Sequence, residues 1–275
     1  MNIVDTSAEI AIIIPVFNEG ENVLPLAEEI RTAMQPLGRS YEIVFVDDAS
    51  TDATWERIDE ARRQSPHVRG VRHEWNAGQS AALWTGLRAA RSPILVTMDG
   101  DRQNDPADVP KLLQELDNAD FVCGVRAKRN DAWLRRVSTK VARAARRQVL
   151  GVDFCDTGCA LRAFKQEVLD GVFPFDGVHR FLPLLVHANG ARAKEIPIGH
   201  RPRVAGQSKY GLWNRLGRGI YDLIGLAWYQ KRRLGNIPVT ELALVSKAPA
   251  RSRQPIWRDI EVRTHAPELQ PIEPA

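Results

Sequence analysis

Two carboxylates in Asp99-Gly100-Asp101 close a hydrophobic run from Pro93 to Met98. The run reads as a buried strand, so it delivers both acids to the strand's carboxyl end. Open α/β sheets bind ligands at that edge. Neighbouring carboxylates repel and are relieved by sharing a cation. Oxygen ligands select a hard one such as Mg2+ or Mn2+, which keeps some waters and takes up substrate phosphates. An Asp-x-Asp on its own is also an ordinary surface turn; the rest of the chain gives this one its weight.

Asp47 and Asp48 end another hydrophobic run, Tyr41 to Val46. They fit either an acid pair at a helix N-terminus, capped by Ser50 or Thr51 for about 1 kcal/mol, or contacts to a nucleobase edge or ribose. Arg203-x-x-Gly206-x-Ser208-Lys209 is a basic loop. It fits a solvated turn, or a lid whose cations meet a leaving diphosphate. There, charge grows in the transition state and one lost donor costs about 3 kcal/mol. The turn after the first hydrophobic run, Pro15-Val16-Phe17-Asn18-Glu19, lacks the glycine fingerprint that admits a pyrophosphate, and no P-loop pattern occurs. Nicotinamide, flavin and P-loop chemistry are therefore not expected. The chain offers acids to a cation in place of glycines to a phosphate.

The elements that must carry these residues alternate. Strands are expected at Ile10–Val16, Tyr41–Val46, Val68–Arg72, Ile94–Met98 and Phe121–Val125. Helices are expected at Val23–Met34, from Ser50-Thr51-Asp52 to Gln64, at Gln79–Ala90 and at Pro106–Asn118. Such alternation predicts an α/β fold with a mostly parallel central sheet covered on both faces, so the polar clusters after each strand converge on one crevice. Further on come a basic helix at Trp133–Val149, a short helix near Arg162–Leu169, a helix at Arg180–Ala188, a strand at Ala193–Ile198 and an amphipathic helix at 212–233. The last 42 residues hold six prolines and five charges of each sign, a composition that does not pack alone.

The motifs Pro15-Val-Phe-Asn-Glu19, Val46-Asp-Asp-Ala-Ser-Thr-Asp52, Asn76-Ala-Gly78, Asp99-Gly-Asp101-x-Gln103-x-Asp-Pro106, Asp156-Thr-Gly158 and Arg203-x-x-Gly206-x-Ser-Lys209 together resemble the family 2 inverting glycosyltransferases. The likeness is to the polyprenyl-phosphate, dolichol-phosphate mannose synthase-like branch, over residues 9–233. The resemblance implies a GT-A fold in residues 1–211, a GDP- or UDP-sugar donor and a divalent metal, Mg2+ or Mn2+. It implies that Pro15, Phe17, Glu19 and Asp48 line the nucleoside pocket and that Asp99, Asp101 and Gln103 hold metal and diphosphate. Asp156 matches the acid expected as base or acceptor organiser, and Arg203 and Lys209 the clamp on the diphosphate; Asp101, Asp156, Arg203 and Lys209 form the expected catalytic set. Arg126, Arg135 or Arg136, and Ser138 match the region that meets an acceptor phosphate. The branch often has Ala where this chain has Gly100, and Ser where it has Thr157; Gly100 is expected to change backbone freedom only. Many relatives also carry two C-terminal membrane spans. This chain shows no run of 18 apolar residues.

Net charge is +4, but Arg126–Arg147 alone holds nine cations and one acid. This local basicity implies a local anionic partner. The stretch fits a solvated helix face, a nucleic-acid surface or a lipid surface; a lipid surface is expected over nucleic acid, since no nucleic-acid motif accompanies the charge. Each cation near an anionic leaflet adds about 1 kcal/mol. The 212–233 helix is expected either on that surface or packed on the core. Met1–Glu9 carries acids and no apolar stretch, so no signal peptide is expected. The three cysteines, Cys123, Cys155 and Cys159, are expected as buried reduced thiols rather than a zinc site. The reading is a metal-dependent glycosyltransferase peripheral on the cytoplasmic face of the inner membrane. Alternatives are a family 2 enzyme acting on a saccharide hydroxyl and a non-catalytic basic membrane-binding module.

Overall fold

The computed structural model describes residues 8–126, 153–202 and 212–232, without the side chains of 212–220 and Gln230. Arg135, Arg136, Ser138, Arg203, Lys209, the expected basic helix and the tail lie outside these residues. Strands are β1 (Ile10–Val16), β2 (Tyr41–Asp47), β3 (Val68–Arg72), β4 (Ile94–Thr97), β5 (Phe121–Arg126), β6 (Arg162–Lys165) and β7 (Ala193–Ile198). Helices are α1 (Gly20–Met34), α2 (Thr54–Gln64), α3 (Gln79–Ala89), α4 (Val109–Glu115), α5 (Val178–Ala188) and α6 (Leu212–Arg232).

The described strands form one sheet in the order β3-β2-β1-β4-β6-β5-β7. Every pairing is parallel except those of β6, which runs antiparallel between β4 and β5. Strands buried on both faces read as continuous apolar runs, and β1 shows why. Ile10, Ile12 and Ile14 enter one core with Val23 and Leu26 of α1. Ala11 and Ile13 enter the other, with Leu83 of α3 and Leu182 of α5. Helix α3 lies close on the sheet because Gly86 has no side chain. A Cβ there would sit 2.4 Å from Ile13 Cγ2.

Two expectations are corrected. The segment from Arg162 is β6 followed by a 3-10 turn, Gln166–Leu169, not a short helix. Phe164 pairs with Leu95 of β4 and Phe121 of β5, and its ring stacks on Phe121 at 5.1 Å. A four-residue run is too short for periodicity to separate strand from helix. Helix α2 starts at Thr54, later than the expected Ser50-Thr51-Asp52. Those residues instead lace the turn after β1 to the turn after β2. Ser50 Oγ accepts the Asn18 N–H (2.9 Å), Asn18 Oδ1 accepts the Thr51 N–H (2.8 Å), and Asp52 accepts the Gly20 and Thr54 N–H groups.

Residues of left-handed backbone mark three of these strand-end turns: Asn18 after β1, Ala49 after β2 and Arg102 after β4. Such strain persists only where surrounding structure over-determines it. Arg102 is held by Glu29 of α1, which also binds Arg201 at 2.6 Å. Gly100 serves a different need from the expected backbone freedom: space. A Cβ there would lie 2.5 Å from Val16 Cγ1 and 3.3 Å from the Pro15 carbonyl. Val16 is β-branched, strand-bound and 3% exposed, so it has little room to yield. Gly100→Ala is therefore expected to destabilise the fold by about 1–3 kcal/mol, read as a lower urea midpoint. An unchanged midpoint would show that the end of β1 can give way.

Candidate active site

The carboxyl ends of β1, β4 and β5 open on a cavity of about 740 Å³. Asp99 stands on one wall, the Asn76–Gln79 segment entering α3 on a second, and Arg126, Arg162, Asp176, His179 and Arg180 are among the other lining residues. The cavity thus brings two acids, Asp99 and Asp176, together with a set of cations from the sheet edge and the start of α5.

Burial, and then the neighbouring charge of Asp101, push the Asp99 carboxyl up to about 6, against the opposing pull of Arg162, Arg126 and a hydrogen bond from Gln79 Nε2 (2.9 Å). Asp101 is 7% exposed and accepts the Gln103 N–H at 3.1 Å. The Gln103 carbonyl in turn accepts the Arg201 N–H at 2.9 Å. Among the described residues no cluster of three or more His, Cys, Asp or Glu forms a closed metal cage. Asp99 lines the cavity, whereas Asp101 and Gln103 do not, although the Asp101 charge acts on Asp99. Two repelling carboxylates of which one faces the cavity fit a hard cation that completes its shell with water and substrate phosphate.

Asp156, on the loop before β6, is 7% exposed and receives Arg126 bidentately, at 2.7 and 2.8 Å. Its own N–H and that of Cys155 donate to Glu195 of β7. Burial opposes the charge on Arg126, but Asp156 more than offsets it and raises the guanidinium above its usual value. Arg162 is 2% exposed and donates to the carbonyls of Thr157 (2.9 Å) and His179 (2.8 Å). Its Nε is buried without a hydrogen-bond partner.

Of the residues assigned to the nucleoside, Pro15 lines the cavity. Glu19 accepts from Asn22 Nδ2 (2.6 Å) and its N–H donates to Thr54 Oγ1. Phe17 is half-buried and neither it nor Glu19 lines the cavity. Asp48 is an organiser of the neighbouring turn: its carboxylate accepts the Ala77 and Gly78 N–H groups, each at 2.8 Å, and faces His73 Nδ1 at 2.7 Å. Asp47 accepts the Ser50 N–H. Its other oxygen lies 3.1 Å from Arg72 Nε, an ionic contact without hydrogen-bond alignment. The expected cap role of Ser50 and Thr51 on α2 is not seen. Cys123 and Cys159 are buried, their thiols pushed up to about 12 and 11 by burial, whereas Cys155 is exposed, contrary to expectation. It sits on the outward side of the loop that Glu195 pins.

Arg162, His179 and Arg180 were not singled out from sequence. Arg162 opens β6, a run too short for its period to show in the sequence. His179-Arg180 follows Gly177 at the start of α5, and that helix-start position is the signal that could have drawn notice.

A family model described as Glycosyl transferase family 2 matches residues 11–173. The undecaprenyl-phosphate 4-deoxy-4-formamido-L-arabinose transferase of Aeromonas hydrophila is 32% identical over 217 residues, covering 78% of this chain and 66% of that protein's length. Among solved structures, glucosyl-3-phosphoglycerate synthase from Mycobacterium tuberculosis, in complex with Mn2+, UDP and phosphoglyceric acid, superposes with a TM-score of 0.59. It is 22% identical, with 86% of this chain and 82% of that chain covered. A mycobacterial protein superposes with a TM-score of 0.60 at 23% identity, over 81% of this chain and 74% of that one. The fold is of the GT-A kind, as expected, and the chain belongs to glycosyl transferase family 2.

Proposed function

We propose that the protein transfers a sugar from a GDP- or UDP-sugar to a polyprenyl phosphate, with inversion at the anomeric carbon and with a divalent metal, Mg2+ or Mn2+. The observation that carries this reading is the bidentate Arg126–Asp156 pair at the cavity. An acid engaged in that way suits an acceptor that needs no base. A phosphate monoester has its second pKa near 6 and is mostly a dianion at pH 7. Its oxygen forms the new bond to the anomeric carbon as the bond from that carbon to the diphosphate breaks, and no proton moves. Arg126 binds and orients the acceptor phosphate, and Asp156 holds Arg126 in place. The similarity to an undecaprenyl-phosphate sugar transferase supports the same acceptor class.

Asp99 and Asp101 are the proposed metal ligands, with Gln103 beside them. The bound metal would offset charge on the departing diphosphate, a role also assigned to Arg203 and Lys209. Solved neighbours of the same fold hold Mn2+ with a UDP-sugar. Asp156→Asn is expected to raise the acceptor KM roughly tenfold, the worth of a charged hydrogen bond, with kcat little changed. A kcat lowered by roughly 10²–10⁴ at constant KM would make Asp156 a base and the acceptor a hydroxyl.

The Asp99 carboxyl, raised to about 6, gives metal binding a pH signature. Above pH 6 the carboxylate is ionised and ready; below it a proton competes with the cation. Mn2+ affinity measured by calorimetry is expected to fall as pH drops from 7.5 to about 5.5. Equal affinity across that range would remove Asp99 from the ligand set.

The membrane partner is proposed from the basic stretch together with α6. Leu226 is buried and Leu223 and Ala227 pack beside it on the core, while Tyr221, Ile224 and Trp228 are 79%, 64% and 64% exposed. The apolar side expected from sequence is thus divided into two arcs, one inward and one outward. Lys231 and Arg232, both exposed, follow the outward arc. Among the described residues no helix is long and apolar enough to cross a bilayer. The outward arc and the cations fit a helix lying in the headgroup region, on the cytoplasmic face of the inner membrane. Flotation with anionic vesicles is expected to weaken on Ile224→Asp/Trp228→Asp and with added salt. Flotation unaffected by either change would place the contact elsewhere.

A further inference from the structure

We propose that His179 is a fixed, uncharged hydrogen-bond donor that grips a phosphate oxygen in the cavity, held in its Nε2–H tautomer by Ser80. The inference rests on the proposed transfer reaction and adds to it a residue that acts through a neutral N–H.

Proton accounting along one chain of contacts fixes the tautomer. Ser80, 5% exposed on α3, accepts the Gly177 N–H at Oγ (2.8 Å). The same Oγ lies 2.6 Å from His179 Nδ1. No other described acceptor takes the Ser80 hydroxyl proton, so it is donated to Nδ1, which must therefore be unprotonated. The ring's proton is then on Nε2, and His179 lines the cavity. Burial, followed by the charges of Arg180 and Arg162, lowers the imidazole to about 3, so it remains uncharged at working pH. A ring with Nδ1 occupied and Nε2 protonated cannot serve as a general base. What it offers is one donor in one direction, and its ligand must be an acceptor oxygen.

The surroundings select the chemistry of that oxygen. Arg126, Arg162 and Arg180 line the same cavity, and Arg162 carries a buried Nε without a hydrogen-bond partner. Arg180 is fixed by Asp222 of α6 at 2.9 Å. The acids of the lining, Asp99 and Asp176, are the remaining charges. A wall of cations with an oriented neutral donor suits a phosphate oxygen better than a sugar hydroxyl. The oxygen belongs either to the acceptor monophosphate or to the donor diphosphate.

Binding to His179→Leu and His179→Gln separates the possibilities, with geranyl phosphate as the acceptor probe and UDP or GDP with Mn2+ as the donor probes. Gln keeps an N–H near the position of Nε2, and thermal melts check that both variants fold. His179→Leu is expected to weaken one class of probe about tenfold or more, with His179→Gln close to the parent; the class affected names the source of the phosphate. Histidine 15N resonances at neutral pH are expected to show Nδ1 of His179 unprotonated in the parent and a tautomer mixture in Ser80→Ala. Parent-like binding by His179→Leu, equal loss in His179→Gln, or a protonated Nδ1 would overturn the role of His179. A parent protein that binds nucleotide but not geranyl phosphate would instead contradict the proposed acceptor, while the tautomer measurement still judges His179.

Discussion

Asp99, on the wall of the cavity, and Asp101, buried outside its lining, repel each other, and the fold has to hold them there. The strain appears as the raised proton affinity of Asp99, which burial causes first and Asp101 reinforces. Much of the surrounding construction answers to it. Gly100 lets the turn lie against the end of β1, and Glu29 fixes Arg102 behind it. Arg162 and Arg126 supply opposing charge across the cavity. A half-buried carboxylate beside a buried one favours any ligand that brings positive charge, which is the physical case for a metal-bound diphosphate.

The cation side is organised by a different rule: each guanidinium is held by a partner that leaves it facing the cavity. Arg126 is gripped by Asp156, Arg180 by Asp222, and Arg162 by two backbone carbonyls. Pre-oriented cations lose little side-chain freedom when an anion arrives. Asp222 belongs to α6, the helix whose outward arc bears Tyr221, Ile224 and Trp228. One ion pair therefore joins the proposed lipid-facing helix to the wall of the cavity. A lipid phosphate acceptor requires that neighbourhood, because its head must reach the site while its chain stays in the bilayer.

Sequence and structure agree most closely where an apolar run is long and ends in polar residues. Strand β1 has the expected bounds, and β3 and β7 do too. The meeting of Asp99 with Arg126 on one edge follows from parallel strand order, which alternation alone predicts. Strand β6 escaped because four residues carry no usable period, and with it went Arg162. His179 escaped because its meaning lies in Ser80, 99 residues away in sequence. Asp48 shows what residue type does not record: its oxygens accept the backbone N–H groups of the turn that enters α3. The divided apolar arcs of α6 depend on the depth at which it packs, which residue type does not record.

Turnover is the direct test of sugar transfer to a lipid phosphate. Purified protein would be incubated with undecaprenyl phosphate and radiolabelled UDP- and GDP-sugars, with Mn2+ or Mg2+, with and without chelator. A chelator-sensitive lipid product from one donor is expected. Metal-dependent donor binding without lipid product from any donor would contradict it and move the acceptor to another class.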